Sequence, residues 1–259
     1  VIITGGIDLS LGSVYALAGV FSGIAMVNWG CSDFISLLVG LGVAALCGLI
    51  NASFVTLLSF PPFISTLGMM SVARGLAFGI TNGHPIYGLT DSFKFMGQGS
   101  VLGIPMPILL MLVLAIIFSF FLRKTKTGRR IYAIGGNEDA ARVSGIAVNR
   151  IKVIVYIASA TLAGFAGILA SARLGTAQPA GGTGMEMDAI AAVIIGGASL
   201  NGGVGNIAGA IIGAAIMGVL DNALTLLSVS AYWQELVIGV VILCAIALDR
   251  VRSIRASKA

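Results

Sequence analysis

Charge is scarce in this sequence. Lys, Arg, Asp and Glu make up 10% of the 259 residues, too few to cover a soluble domain of this length. There is one histidine, His84, in a short polar stretch, and no cluster of His, Cys, Asp and Glu has metal-ligand spacing. No nucleophile–base pair is evident either, so neither catalytic residues nor a metal are expected. The three cysteines, Cys31, Cys47 and Cys244, do not build a disulfide framework and read as small packing residues. No Gly-rich loop ends in Lys-Ser or Lys-Thr, so the chain itself carries no nucleotide-binding signature. A ring-forming filter motif is also missing, which argues against a channel.

Apolar residues are abundant: 58% of the chain, with a mean hydropathy of +1.04. Runs of about 17–25 residues suffice to cross roughly 30 Å of hydrocarbon. They are continuous rather than alternating, which predicts helices and not barrel strands. They cover 1–27, 34–58, 63–80, 105–122, 153–172, an interrupted 187–227, and 232–248. The expected fold is all-α: one polytopic membrane domain over 1–259 with about 7–8 transmembrane helices. The chain opens on Val1 within an apolar run, with no Met and no charged leader. We therefore expect an N-terminally incomplete chain, whose helix count is a minimum.

Charge sets the orientation. Eight of the 15 Lys and Arg fall in 123–152, and four more, Arg250, Arg252, Arg255 and Lys258, fall in the tail 249–259. The positive-inside rule puts both stretches in the cytoplasm, and 81–104 outside. The basic excess is therefore topology and not nucleic-acid binding. Counted from the loop 123–152, the stretch 187–227 crosses an even number of times or is re-entrant.

Glycine is the second abundance, with 36 residues. Two places share a pattern. Ile3-Thr4-Gly5-Gly6-Ile7-Asp8-Leu9-Ser10-Leu11-Gly12 and Ile195-Gly196-Gly197-Ala198-Ser199-Leu200-Asn201-Gly202-Gly203 each run from apolar residues through Gly-Gly to a capping residue and a small-residue helix. Asp8, Ser10, Ser199 and Asn201 are N-cap types. Paired Gly-interrupted apolar segments point to a transporter's binding site, and close helix packing is the competing explanation. Polar groups at membrane depth extend the candidate pathway. Asp8 is open between cap and substrate contact. Arg74 needs a partner, an ion pair or backbone carbonyl first of all. Asn51 and Asn222 are open between interhelical bonding and the pathway. Gln178, Glu186 and Asp188 flank a Gly-Pro-rich stretch read as an entrance loop, with a helix cap the alternative for Asp188. The pathway set is Asp8, Ser10, Asn51, Gln178, Glu186, Asp188, Asn201 and Asn222.

The loop 123–152 is the most informative stretch. Asn137 is a good N-cap, Glu138 and Asp139 suit the positive end of a helix, and Gly145 is a plausible terminator. A short capped helix between two spans, with Arg142 as a fork of donors, is suited to docking a partner. The run Gly135-Gly136-Asn137-Glu138-Asp139-Ala140-Ala141-Arg142-Val143-Ser144-Gly145-Ile146 resembles the coupling loop of binding-protein-dependent ABC sugar permeases, those of the ribose type most of all. Gly5-Gly6-Ile7-Asp8-Leu9-Ser10, Ala177-Gln178-Pro179 with Gly182-Thr183-Gly184, and Asp188-Ala189-Ile190-Ala191-Ala192-Val193 with Gly196-Gly197-Ala198-Ser199-Leu200 agree.

The resemblance implies a permease subunit of an importer in the bacterial inner membrane, with its C-terminus in the cytoplasm. It implies a homodimeric pathway and a cytoplasmic ATPase docked on Asn137, Glu138, Asp139, Arg142 and Gly145. It also implies a periplasmic or lipid-tethered sugar-binding protein outside. ATP would act on the ATPase, and this chain would hold no cofactor. The rival is an ion-gradient-driven secondary sugar transporter, for which Asp8 and Asp221 are candidate coupling groups.

Overall fold

The computed structural model describes residues 1–230, 232–234, 236–241, 243, 244 and 247. The apolar runs become helices close to where the sequence places them, except that the first, expected over 1–27, is helical only from Leu11 because the Gly5-Gly6 break leaves 5–10 unwound. Those helices are α1 (Leu11–Val27), α2 (Asp33–Leu57), α3 (Pro62–Thr81), α5 (Met106–Lys124), α8 (Val148–Leu174) and α10 (Ile207–Leu226). By length and composition α2, α3, α5, α8 and α10 can cross a membrane. The shorter α1, about 26 Å long at 1.5 Å per residue, is apolar on all sides and is the most deeply buried helix. The run expected at 232–248 reaches beyond the described residues, and the tail 249–259 with its four basic residues lies outside them.

Local chemistry sets the ends. Pro62 opens α3, where its missing N–H and fixed φ cost nothing, and Pro61 before it is extended, which turns the chain sharply after α2. Asn82 and Gly175 close α3 and α8 in the left-handed conformation. Two elements were not anticipated in the stretch read simply as an outer loop. Thr90 caps a short helix, α4 (Asp91–Gln98), and a two-residue turn closes a hairpin of β1 (Ser100–Val101) with β2 (Ile104–Pro105).

The chain divides into two compact units. The first comprises Val1, Gly6–Ile117 and Ala147–Glu186. Within it α1 packs on α2, α3 and α8, α2 packs along α8, and α4 closes against α8. Small residues set these distances. A Cβ at Gly167 of α8 would lie 1.9 Å from the Tyr15 carbonyl oxygen, so only glycine lets α8 lie against the α1 backbone. The outer segment is tied in by paired backbone bonds: the Ile86 N–H donates to the Ala177 oxygen at 2.9 Å, and the Ala177 N–H to the Ile86 oxygen at 3.0 Å.

The second unit comprises Ile2–Gly5, Phe118–Ile146 and the described residues from Met187 onward. It holds a single 3-10 turn (Ile2–Thr4), α6 (Lys126–Gly136), α7 (Glu138–Val143), most of α9 (Met185–Ile195), and α10. The interruption expected in 187–227 lies between α9 and α10. Ala192 meets Gly213 and Gly196 meets Gly209, so the two helices run antiparallel, which matches an even crossing or a re-entrant pair. At 11 residues α9 is about 16 Å long, too short to span. Three expectations need correction. The cap of α10 is Asn206, whose Oδ1 accepts the Gly209 N–H at 2.7 Å, and not Ser199 or Asn201. Asp188 sits inside α9 and does not cap it. The loop 123–152 holds two helices before α8, because Thr125 caps α6 as Asn137 caps α7.

The Gly167 contact is testable. Gly167→Ala should lower stability in detergent by about 1–3 kcal/mol, as overpacking does. Gly42→Ala, where an added Cβ meets nothing within 4 Å, should not. The midpoint of thermal unfolding followed by gel filtration compares the two.

Candidate functional site

Before α1 the chain is not helical, so its peptide groups need other partners. After the turn at Ile2–Thr4, Gly5 takes φ +76 and residues 6–10 lead into α1. The Leu9 N–H donates to Thr66 Oγ1 of α3 at 3.1 Å, and that oxygen lies 3.1 Å from the Ile7 carbonyl. Asp8 Oδ1 accepts both the Ser10 N–H (2.9 Å) and the Ser10 hydroxyl (2.6 Å), an Asx-type turn. Asn51 of α2 donates from Nδ2 to Ser10 Oγ at 3.0 Å, and the Ser65 hydroxyl lies 3.5 Å from Asn51 Oδ1. Asp8, Ser10, Asn51, Ser65 and Thr66 are all buried. Three of the predicted residues, Asp8, Ser10 and Asn51, therefore meet in one network joining α1, α2 and α3. Ser10 stands at the N-cap position of α1 but makes no side-chain capping bond, because its hydroxyl is committed to Asp8 and Asn51. Asp8 Oδ2 and the hydroxyl of Tyr156 on α8 are buried without a hydrogen-bond partner, which leaves polar capacity beside the network.

One turn further on, the segment 175–186 lies against the first turns of α1. Arg74 of α3 donates from Nη1 to the carbonyls of Pro179 (2.8 Å) and Gly181 (2.7 Å), the backbone contact that a cation in an apolar run requires. A Cβ on Gly12 would stand 2.1 Å from the Gly182 carbonyl oxygen and 2.3 Å from Glu186 Oε2. The absent side chain therefore lets the Glu186 carboxylate reach the α1 backbone, near the unpaired N–H groups of its first turn. Glu186 Oε2 is buried with no hydrogen-bond partner. The Tyr15 ring borders Gly181 and Gly182. The predicted Gln178 is exposed, with Nε2 3.5 Å from Thr176 Oγ1.

Asp188, Asn201 and Asn222 belong to the second unit. Asn222 is exposed on α10 beside Asp221. Asn201 lies in the turn between α9 and α10, and its N–H donates to Ser199 Oγ at 3.3 Å. That turn is stapled to α6. The Gly203 N–H donates to the Ile3 carbonyl at 2.9 Å, and the Tyr132 hydroxyl donates to the Gly205 carbonyl at 2.7 Å. A Cβ on Gly135 would stand 1.7 Å from the Ile3 oxygen and 2.4 Å from the Gly203 nitrogen. Within this unit both Gly-rich breaks thus bear on α6: the first through its opening turn, the second through 202–205.

α7 follows at once. Asn137 Oδ1 accepts the Ala140 N–H at 2.9 Å, and Arg142 pairs with Glu138 at 3.1 Å. Ala141 faces inward, while Asp139 and Arg142 are exposed and Val143 is 90% exposed. Gly145, at φ +81, reverses the chain after α7. Thr66, Tyr156, Tyr15, Gly12 and Tyr132 were not singled out from sequence. The first two were legible as polar side chains within apolar runs, whereas the others matter only through contacts between distant segments.

Comparison with known proteins adds a separate line of observation. The family described as branched-chain amino acid transport system / permease component matches residues 1–246. The chain is 46% identical to the ribose import permease protein RbsC of Bacillus subtilis (strain 168), over 98% of this chain and 79% of that protein. It is 40% identical to the D-allose transport system permease protein AlsC of Escherichia coli (strain K12), over 97% and 77%. With the xylose transport system permease protein XylH of Haemophilus influenzae it shares 35% identity, over 96% and 83%. No solved structure gives a significant match.

The network before α1 makes a stability prediction. Asn51→Leu strips Ser10 Oγ of a buried donor and should cost about 1–3 kcal/mol. The lost thermal stability of the purified chain would be measured, with the exposed Asn222→Leu expected to stay near wild type.

Proposed function

The chain belongs to the branched-chain amino acid transport system / permease component family, and from that premise we propose that it is the membrane-spanning subunit of an ATP-driven importer for a monosaccharide, ribose or a close relative. Family membership makes it a membrane-embedded transport component and not an enzyme. The family description mentions amino acids, but the relatives named above are a ribose, an allose and a xylose permease. The observation that carries the sugar reading is the 46% identity to a ribose import permease over 98% of this chain, far more than a shared motif.

The geometry supports a division of labour. The turns of α1, the Arg74-held segment 175–186 and Glu186 form the polar wall of the pathway in the first unit. A sugar offers hydroxyls and no charge, which suits carbonyls, carboxylates and unused donors. Asp8, Ser10 and Asn51 hold the unwound segment in shape beside that wall. Gln178, Asp188, Asn201 and Asn222 are assigned to the same pathway as its outlying polar groups.

α7 is the docking element for a cytoplasmic ATPase. Asn137, Glu138, Asp139 and Gly145 set its shape, and Arg142 and Val143 meet the partner. ATP-driven closure of the ATPases pushes on α7. The push passes to α6 and then, through Gly135, Tyr132 and Gly203, to both Gly-rich breaks. The pathway is completed by a second copy of the chain, and a sugar-binding protein delivers substrate from outside. The C-terminal tail lies in the cytoplasm, on the side of the basic loop.

Two outcomes test this reading. Proteoliposomes holding the full-length permease, its ATPase and its binding protein should take up radiolabelled ribose only with internal ATP and with both partners. Gradient-driven uptake by the permease alone would overturn the importer. Arg142→Glu breaks the pair with Glu138 and sets two acids four residues apart, and it should weaken ATPase co-purification at least about tenfold while the permease stays folded. Undiminished co-purification would remove α7 from the interface.

A further inference from the structure

One surface is left unused by this reading. Lys126, Arg129, Arg130 and Ala133 recur at helical spacing, so they share one face of α6, and with Ile146 they line an open cavity of about 330 Å³. The rotation of α6 is set by the opposite face, where Gly128, Ile131 and Ile134 are buried. Arg123 and Lys124, in the last turn of α5, precede the stripe directly. Residues 123–137 hold five cations and no acid. Among the described residues none of the five makes an ion pair, and Arg129 reaches only the Lys124 carbonyl, at 3.5 Å.

Such a concentration of positive charge attracts a counter-charge, and the surroundings favour one kind. The cavity is part cationic and part apolar, through Ala133 and Ile146. Its α6 residues follow in sequence on the last turn of α5, a helix that has no buried residue and in which Phe120 is 64% exposed one turn before the first cation. An acidic protein surface would meet cations ringed by polar groups, whereas here the cations follow directly on the exposed apolar end of α5. A phosphate diester with hydrocarbon attached matches both parts at once.

We propose that this cavity seats the phosphate headgroup of an anionic phospholipid from the surrounding bilayer, held by Lys126, Arg129 and Arg130 with its acyl chains along the end of α5. Ile146, which borders the cavity, is tied to α7 by its N–H donating to the Ala141 carbonyl at 3.1 Å. The bound lipid therefore braces the α6–α7 pair from the membrane side. The inference rests on α5 as a membrane span and is independent of the sugar and of the ATPase.

The experiment uses the full-length permease in nanodiscs of phosphatidylcholine with graded phosphatidylglycerol, with bound lipid counted by native mass spectrometry. Wild-type protein should retain phosphatidylglycerol over phosphatidylcholine. Lys126→Gln, Arg129→Gln and Arg130→Gln should each weaken that retention about fivefold, as loss of one cation at a membrane surface does. The charge-conserving pair Arg129→Lys/Arg130→Lys should keep most of it, which separates lost charge from lost folding. Lys94→Gln, on α4, should leave it unchanged. Equal retention of both lipids by wild type, or unaltered retention by all three neutral variants, would overturn the proposal. So would displacement of the lipid by millimolar inorganic phosphate, which would make the cavity a site for a soluble anion. Loss of ATPase binding by the three neutral variants, with their phosphatidylglycerol retention intact, would assign the stripe to the ATPase instead.

Discussion

A peptide group at membrane depth has no water to bond, and in this chain three stretches of backbone leave the helix between apolar helices. The stretch before α1 meets it through side chains: Thr66 takes the Leu9 N–H, and Asp8 takes both the N–H and the hydroxyl of Ser10. Segment 175–186 meets it through Arg74, which collects two carbonyls, and the turn between α9 and α10 through Gly203 and Tyr132. The polar residues that look costly in an apolar chain are therefore what make unwound backbone tolerable. They hold it in defined positions.

Glycine supplies the other half of that solution. Where helices approach backbone to backbone, as Gly167 does at Tyr15 and Gly135 at Ile3, a methyl group would overlap a carbonyl oxygen. These contacts transmit displacement, because a close-packed junction has no slack. In the second unit the chain of contacts from α7 through α6 to the 202–205 turn has this character. That is why the proposed docking helix is well placed to act on the turn between α9 and α10. On the proposed reading, an anionic lipid on the basic stripe would support the face of α6 opposite Gly128, Ile131 and Ile134.

Most of this architecture was legible in the sequence. Run lengths placed α2, α3, α5 and α8 to within about five residues, because the hydrocarbon thickness fixes how many apolar residues a crossing needs, whereas the run 1–27 is helical only from Leu11. Pro61-Pro62 gave the turn, and Asn137 gave the start of α7, since both act through their own backbone neighbours. The breaks at Gly5-Gly6 and Gly196-Gly197 were visible for the same reason. Where several local solutions competed, the reading went astray: Asn206 caps α10 in place of Ser199 or Asn201, and α6 was hidden because its cations were read as a topology signal alone.

The tertiary structure decided what these local features do together. It gathered Asp8, Ser10 and Asn51 and left Asn201 and Asn222 in another unit. It gave Arg74 two carbonyls from a segment about a hundred residues away, and it set Glu186 against the bare backbone of Gly12. Local sequence carries hydropathy, capping and turn chemistry because these act within a few residues. Which polar group satisfies which distant backbone atom depends on how closely the helices pack, and that exists only once they have come together.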